Sequence, residues 1–145
     1  SKQMRTEVAK AKRELRGSST APLGDHHART VLIPMMGRGM IERHFDTANP
    51  RAVASRWARD PANYPYFTQF ATNLVYKEIL FMEDQASPID INAQPDLDLM
   101  TFLLSADALV TNEKGFMRRA FNDLWRERGK MLFSSDEFVA LLRRM

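Results

Sequence analysis

The strongest constraint on the fold lies in the last third of the chain, where helical and strand patterns alternate. Helical patterns over residues 96–104, 114–128 and 136–144 are separated by two short apolar runs, Ala108–Val110 and Met131–Phe133. Strands that are joined by right-handed helical crossovers lie parallel in one sheet. The order therefore predicts an α/β fold, a helix-rich three-layer α/β/α domain around a small, mostly parallel sheet.

The rest of the chain is predicted to be mainly helical. Apolar residues at helical spacing predict helices over residues 2–16, 35–45, 50–59 and 65–82. Turn-forming residues predict a loop over 17–29, while the apolar run 31–33 fits either a brief buried strand or the lead into a helix. Residues 87–92 alternate apolar and polar side chains, which predicts an edge strand. By its length the chain is expected to form a single domain, 1–145.

Short signals mark the helix ends in the last third. Asp96 is predicted to be the N-cap of the first of these helices, with Asp98 in the first turn, where a negative charge favours the helix dipole. Gly129 is expected to end the second helix. Ser134 and Glu137 have the spacing of a capping box before the third helix. That third helix is expected to bury its apolar residues, which are Phe138, Val139, Leu141 and Leu142.

The composition excludes several kinds of protein. The chain has no cysteine, so disulfides, thiol catalysis and cysteine metal sites are excluded. The apolar runs are too short for a membrane span and no signal-peptide pattern occurs, so the expected setting is cytoplasmic. The formal net charge of +3 permits an acidic partner such as RNA. The basic side of the first predicted helix, which includes Lys10 and Arg13, is either a solvated face or a phosphate-contacting surface.

Carboxylates around the first predicted strand are candidate metal ligands. The helix that begins near Asp96 leads directly into this strand, so the two elements should run antiparallel. Eight helical residues span about 12 Å and five strand residues about 16 Å, so Asp96 or Asp98 can approach Glu113. Asp107 begins the strand, about 20 Å from Glu113, and is expected to be structural. Carboxylates without neighbouring cysteine or histidine suit Mg²⁺ or Mn²⁺, although helix capping is an alternative explanation for each acid.

Two motifs in the last third follow the order of a known family. After Asp96 and Asp98 at a helix start come A-L-V-T-N-E-K-G-F and then G-K-M-L-F-S-S-D-E-F. This order resembles the carboxyl half of a PIN-like domain. In that family an Asp opens a helix, a strand ends in Thr-x-Asp with a Phe soon after, and a second strand precedes the last helix. Members of that family are metal-dependent RNA nucleases, and many of them are toxins or RNA-processing factors. The resemblance therefore implies a metal-dependent RNA nuclease.

The resemblance also implies roles for single residues and partners. Asp96 or Asp98 would match the Asp at the helix start, and Glu113 would match the Asp after the strand, which makes these residues catalytic and metal-binding. Glu7 would match a helical Glu of the family and complete the ligands for Mg²⁺ or Mn²⁺. RNA and an antitoxin-like protein are the implied partners. Whether the chain forms a homo-oligomer is left open. The residues expected to contact RNA are Lys10, Arg13 and Lys114.

The chain departs from the family pattern at two points. Glu113 stands where the family has Asp, and its side chain is longer by one methylene. The family's first strand, an apolar run that ends in Asp, should precede the helix that holds Glu7, and the chain offers no such run. The expectation is therefore a domain that is truncated at its N-terminus or a divergent member. The alternative function is a non-catalytic, PIN-like domain that binds RNA or protein.

Overall fold

The computed structural model describes residues 26–83 and 92–145. The chain divides into two compact units, Ser1–Ile89 and Asp90–Met145. The predicted N-terminal helix and nearly all of the predicted edge strand lie outside the described residues. No helix within the described ranges is both long enough and apolar enough to cross a membrane.

The N-terminal unit is helical in its described part. A π-helical turn, Ala28–Leu32, leads into α1 (Ile33–His44), which is followed by α2 (Pro50–Arg59) and α3 (Pro65–Glu83). The three helices predicted for this region are confirmed. The strand alternative for the apolar run 31–33 is wrong, because that run is the lead into α1.

The start of this helical region corrects the predicted loop, since residues 26–29 are already helical. Thr30 Oγ1 donates to the carbonyl oxygen of His26 at 2.7 Å, so a polar side chain satisfies one backbone acceptor of the first turn. Pro34 follows in the first turn of α1, directly after the π-helical turn, and contributes no backbone N–H to the helix. The turn-forming composition of the preceding residues therefore extended the loop prediction too far.

The start of α2 follows from two adjacent residues. Asn49 Oδ1 accepts a hydrogen bond from the backbone N–H of Ala52 at 3.1 Å, which is the N-cap interaction. Pro50 occupies the first helical position, where its fixed φ angle favours the helix. The helix ends at Arg59, so the predicted bounds, 50–59, are confirmed at both ends.

The indole of Trp57 lies at the centre of the described N-terminal core. Trp57 is 4% exposed, and helix α1 packs against both α2 and α3. The ring of Phe67 meets the indole edge-on at a centroid distance of 5.1 Å. Burial of apolar surface is the main favourable term in folding, so this three-helix contact stabilises the unit. The buried members of the cluster are Ile41, Ala54, Trp57 and Ala71.

The C-terminal unit holds the two predicted strands, β1 (Ala108–Val110) and β2 (Met131–Phe133). They pair in parallel, and the register places Leu109 beside Leu132. The parallel arrangement of these strands is confirmed, and the described residues are helix-rich with one two-stranded sheet. The three-layer arrangement and the single-domain organisation stay predictions.

Three α-helices and two 3-10 turns accompany the two strands in the described part of this unit. Helix α4 (Ala93–Leu99) continues as a 3-10 turn into β1, α5 (Phe116–Leu124) connects the strands, and α6 (Ser135–Arg144) follows β2. A second 3-10 turn, Arg126–Arg128, ends at Gly129, which has φ +77°. Glycine adopts this left-handed backbone without steric cost, so the predicted stop at this residue is confirmed.

Two predictions about this unit are wrong. Asp96 is not an N-cap, because α4 begins three residues earlier and its N-cap position is held by Asn92. The backbone N–H of Asp96 donates to the carbonyl of Asn92 at 2.9 Å, so Asp96 lies inside the first turn. Helix α6 buries none of its residues, and Val139 and Leu142 are 43% and 52% exposed. Phe138 and Leu141 are half-buried, and α6 packs along β2.

Candidate functional site

The two parallel strands end side by side, and the loops that follow them are joined by Asn112 and Ser135. Asn112 Oδ1 accepts from the Ser135 backbone N–H at 2.9 Å and from its hydroxyl at 3.1 Å, while Asn112 Nδ2 lies 2.9 Å from the same hydroxyl. The backbone N–H of Thr111 donates to the carbonyl of Phe133 at 2.9 Å, so pairing continues to the end of β1. We call this region, residues 111–113 and 134–137, the strand-end site. Open α/β sheets bind ligands at such carboxyl ends.

Glu113 lies in the strand-end site and is exposed to solvent. Its backbone N–H donates to Thr111 Oγ1 at 3.1 Å, which shapes the turn after β1. Its Oε1 accepts from the backbone N–H of Met117 at 3.5 Å, a distance at the long limit for a hydrogen bond. Gly115 holds the N-cap position of α5 and provides no side-chain cap. The carboxylate of Glu113 therefore occupies the N-terminus of α5 through a weak contact, where the helix dipole favours a negative charge.

The two aspartates of α4 have different environments. Asp98 is exposed, and its Oδ1 accepts from Gln94 Nε2 at 2.9 Å, so a neighbouring turn of the same helix accounts for its position. Asp96 is half-buried in the first turn. Helix α4 packs against α5, the helix that begins just after Glu113. The structure thus gives Asp98 a partner within its own helix and places Asp96 in the first turn of a helix that contacts α5.

Asp107 belongs to the opposite end of β1, as predicted from the length of the strand. Its carbonyl accepts from the backbone N–H of Met131 at 3.0 Å, and Lys130 Nζ donates to the neighbouring carbonyl of Ala106 at 2.9 Å. These bonds connect the beginnings of the two strands. The backbone of Asp107 thus has a structural role, and its side chain is exposed.

One of the remaining predicted residues lies in the part of the chain that the structure describes. Lys114 is exposed in the loop between β1 and α5, directly after Glu113. Its position therefore permits contact with an anionic ligand at the strand-end site. Glu7, Lys10 and Arg13 lie outside the described residues.

The capping box at the start of α6 adds a second carboxylate to the strand-end site. Glu137 Oε1 accepts from the Ser134 backbone N–H at 3.1 Å, and the Glu137 N–H donates to Ser134 Oγ at 3.1 Å. The backbone hydrogen bond from Ser134, then its side chain, and to a smaller extent the charge of Arg118 hold the pKa of Glu137 below its ordinary value. The predicted capping box is confirmed, and Arg118 brings a positive charge to this region.

Sequence reasoning missed Asn112, Ser135 and Arg118. Asn112 and Ser135 are 23 residues apart, and only the parallel pairing of β1 with β2 brings them together. Arg118 is half-buried in the first turn of α5, and its Nε has no hydrogen-bond partner among the described residues. A helical-wheel reading of α5 could have placed Arg118 near the helix start, but not its proximity to Glu137.

The donor chemistry of the strand-end site suits a hard cation, while the number of ligands is small. Carboxylate oxygens are the ligands that Mg²⁺ and Mn²⁺ prefer, and Mg²⁺ often uses one or two carboxylates together with waters. Within residues 26–83 and 92–145, no group of three or more His, Asp or Glu side chains is arranged to hold a metal ion. Asp96 or Asp98 together with Glu113 therefore stays the predicted ligand set.

Comparisons with family models, with curated proteins and with solved structures find no match to this chain.

Proposed function

We propose that the C-terminal unit provides the metal-dependent site of an RNA nuclease of PIN type. The observation that carries the proposal is the parallel pairing of β1 with β2, which places the ends of both strands together beside Glu113. In open α/β sheets this edge is where ligands bind, and a carboxylate there is available for chemistry. Asp96 and Glu113 are the proposed metal ligands of this unit.

The charges around the strand-end site support a phosphodiester substrate. Glu113 and Asp96 would hold Mg²⁺ or Mn²⁺, which supplies activation of a water and neutralisation of phosphate charge when bound. Lys114 follows Glu113 in the exposed loop, and Arg118 extends the positive charge toward Glu137. Guanidinium and ammonium groups bind phosphate oxygens through charge-assisted hydrogen bonds. The arrangement therefore combines metal-binding carboxylates with phosphate-binding cations.

Single substitutions test the proposed ligands. Glu113→Gln and Asp96→Asn should each abolish Mn²⁺-dependent cleavage of a labelled single-stranded RNA, because the charge that holds the ion is lost. Asp107→Asn is the matched control, since this exposed carboxylate lies at the opposite end of β1. Cleavage that survives in Glu113→Gln, or is lost equally in Asp107→Asn, would contradict the proposed site.

Metal binding has a readout that does not depend on cleavage. An ion that binds the folded chain raises the melting temperature by mass action, as long as it does not bind the unfolded chain. Mn²⁺ should therefore raise the Tm of the wild type and of Asp107→Asn, but not that of Glu113→Gln. An unchanged Tm of the wild type at millimolar Mn²⁺ would contradict metal binding and would indicate that the carboxylates have structural roles only.

The second candidate is a non-catalytic, PIN-like domain that binds RNA or protein. The contact between Glu113 Oε1 and the backbone N–H of Met117 favours it, because helix capping is then the complete function of this carboxylate. This candidate is distinguished by salt-sensitive RNA binding without any Mn²⁺-dependent cleavage. In that case Glu113→Gln should lower stability slightly and leave RNA affinity unchanged.

A further inference from the structure

Helix α2 of the N-terminal unit has an outward face that carries only positive charge. The helix buries Ala54 and Trp57, while Arg51, Arg56 and Arg59 are exposed. Arg51 and Arg59 are eight residues apart, which is about 12 Å along a helix axis. At about 100° per residue, Arg59 and Arg56 lie about 80° and 140° around the axis from Arg51, so the three side chains spread over the half of the helix opposite Ala54 and Trp57.

No carboxylate neutralises this face from within the helix. Residues 47–59 contain no Asp or Glu, and the acids that flank them are Asp46 and Asp60. The carboxylate of Asp60 accepts a hydrogen bond from Asn63 Nδ2, and the Nε of Arg59 donates to the carbonyl of Ser55 at 3.3 Å. In the described part of the chain, the guanidinium groups of α2 form no ion pair. Their charge is therefore available to an anionic partner.

Three exposed aromatic rings lie around the ends of the same helices. Phe45, Tyr64 and Tyr66 are 47%, 41% and 56% exposed. Phe67 connects one of these rings to α2, since it meets Phe45 edge-on at 5.4 Å and Trp57 at 5.1 Å. Tyr64 and Tyr66 lie three residues and one residue before Phe67 in the chain. The end of α1, the end of α2 and the start of α3 thus meet at one aromatic cluster, and part of that cluster is open to solvent.

We propose that this surface binds single-stranded nucleic acid. Arginine side chains neutralise phosphates, and exposed rings stack on bases whose faces are open only when the strand is unpaired. An acidic protein would use the arginines but would have no need of three exposed rings. We call this surface the arginine–aromatic face, and its residues are Phe45, Arg51, Arg56, Arg59, Tyr64 and Tyr66.

The inference goes beyond the proposed nuclease, because the arginine–aromatic face belongs to the N-terminal unit and needs no metal ion. It gives the chain a surface that holds an unpaired strand, whether or not the strand-end site cleaves it. Binding is therefore measured in EDTA, which removes divalent metals and separates the two proposals. Loss of cleavage with retained binding would contradict only the nuclease.

The charge of the face is tested with two matched pairs of substitutions. Arg56 and Arg59 lie in the last turn of α2, and Arg143 and Arg144 lie in the last turn of α6, so both pairs favour a helix dipole equally. Affinity for fluorescein-labelled (U)15 and (dT)15 is measured by anisotropy between low and high salt. Arg56→Gln/Arg59→Gln should weaken both complexes about tenfold or more and reduce the salt slope by about 1.4, since each single-strand phosphate contact contributes about 0.7. Arg143→Gln/Arg144→Gln should stay close to the wild type.

The rings are tested by a second set of variants. Tyr64→Leu/Tyr66→Leu should weaken the complexes about fivefold or more, because a leucine cannot stack on a base. Tyr64→Phe/Tyr66→Phe keeps the stacking surface and should bind within about twofold of the wild type. Circular dichroism and melting temperature verify that all of these variants fold.

Three results would overturn the proposal. The first is an equal loss of affinity in the two arginine pairs, which would indicate net charge alone. The second is wild-type affinity in Tyr64→Leu/Tyr66→Leu. The third is competition by polyglutamate at the concentration that (dT)15 requires, which would indicate an acidic protein partner.

Discussion

The six-membered ring of Trp57 lies directly on the Cα of Gly37, with no space between helices α1 and α2. A Cβ atom at position 37 would be 2.1 Å from Trp57 Cη2, far inside van der Waals contact. Because Trp57 is buried against Phe67, it cannot move away without disturbing the core. Gly37→Ala should therefore destabilise the protein by about 1–3 kcal/mol through overpacking.

Gly39 provides the matched control in the same helix. A Cβ at this position would approach the guanidinium of Arg43, whose terminal nitrogen would be 3.1 Å away, and that exposed side chain can move. Gly39→Ala should stabilise the protein by up to about 1 kcal/mol, because alanine favours a helix interior over glycine. Urea unfolding measures both variants, and equal effects of the same sign would show that Trp57 does not pack on α1 as described.

Thr68 connects the core tryptophan to the turn between α2 and α3. Its Oγ1 accepts from Trp57 Nε1 at 2.9 Å and donates to the carbonyl of Pro61 at 2.7 Å. Thr68→Val keeps the shape of the side chain but leaves the indole N–H without an acceptor, which should cost about 1–3 kcal/mol in the free energy of unfolding. Thr68→Ser keeps the hydroxyl and should cost clearly less. A Thr68→Val variant as stable as Thr68→Ser would show that these two hydrogen bonds of Thr68 do not contribute to stability.

Asn112 connects the loops that follow the two strands. Asn112→Ala removes the acceptor of the Ser135 backbone N–H and should cost about 1–2 kcal/mol, since each hydrogen bond contributes about 1 kcal/mol. Asn112→Asp keeps this acceptor and places a negative charge at the N-terminus of α6, so its cost should be smaller. Chemical denaturation compares the two variants. A larger loss in Asn112→Asp would indicate that the amide nitrogen, and not the oxygen, connects the loops.

The pH dependence of stability should include a contribution from the capping box. The hydrogen bonds from Ser134 lower the pKa of Glu137 in the folded chain, so the folded state binds its proton less readily than the unfolded state. The stabilisation is therefore complete above the unfolded pKa of about 4.3 and is lost as the pH falls through the lower, folded value. The difference in Tm between the wild type and Glu137→Gln should shrink as the pH falls from 7 to 3.

Asp136→Asn is the control for this titration. Asp136 is exposed in the same turn of α6, without the capping-box hydrogen bonds. A Tm loss at pH 7 that occurs in Glu137→Gln and not in Asp136→Asn would therefore reflect the capping box and not the removal of one negative charge. A Glu137→Gln difference that stays constant down to pH 3 would contradict the linkage.

Local signals predicted most of the described elements. Each helix-end signal acts within a few residues, so the local sequence indicates its effect. Examples are the N-cap at Asn49, the left-handed Gly129 and the Ser134–Glu137 capping box. The start of α4 was misplaced because Asp96 is a good N-cap in isolation, whereas the helix begins before Pro95. Proline is tolerated in a first turn, so it gave no unambiguous boundary.

The sequence by itself determined the order of helices and strands and the parallel pairing of β1 with β2, because periodicity and crossover handedness are local or topological rules. Tertiary structure alone decided that Gly37 is needed for contact with Trp57, that Asn112 meets Ser135, and that α6 leaves Leu142 exposed. These outcomes depend on which surfaces face one another after packing, and apolar periodicity indicates only that a face can be buried. The position of Glu113 at the end of β1 followed from the sequence, whereas its contact with the Met117 backbone required the fold.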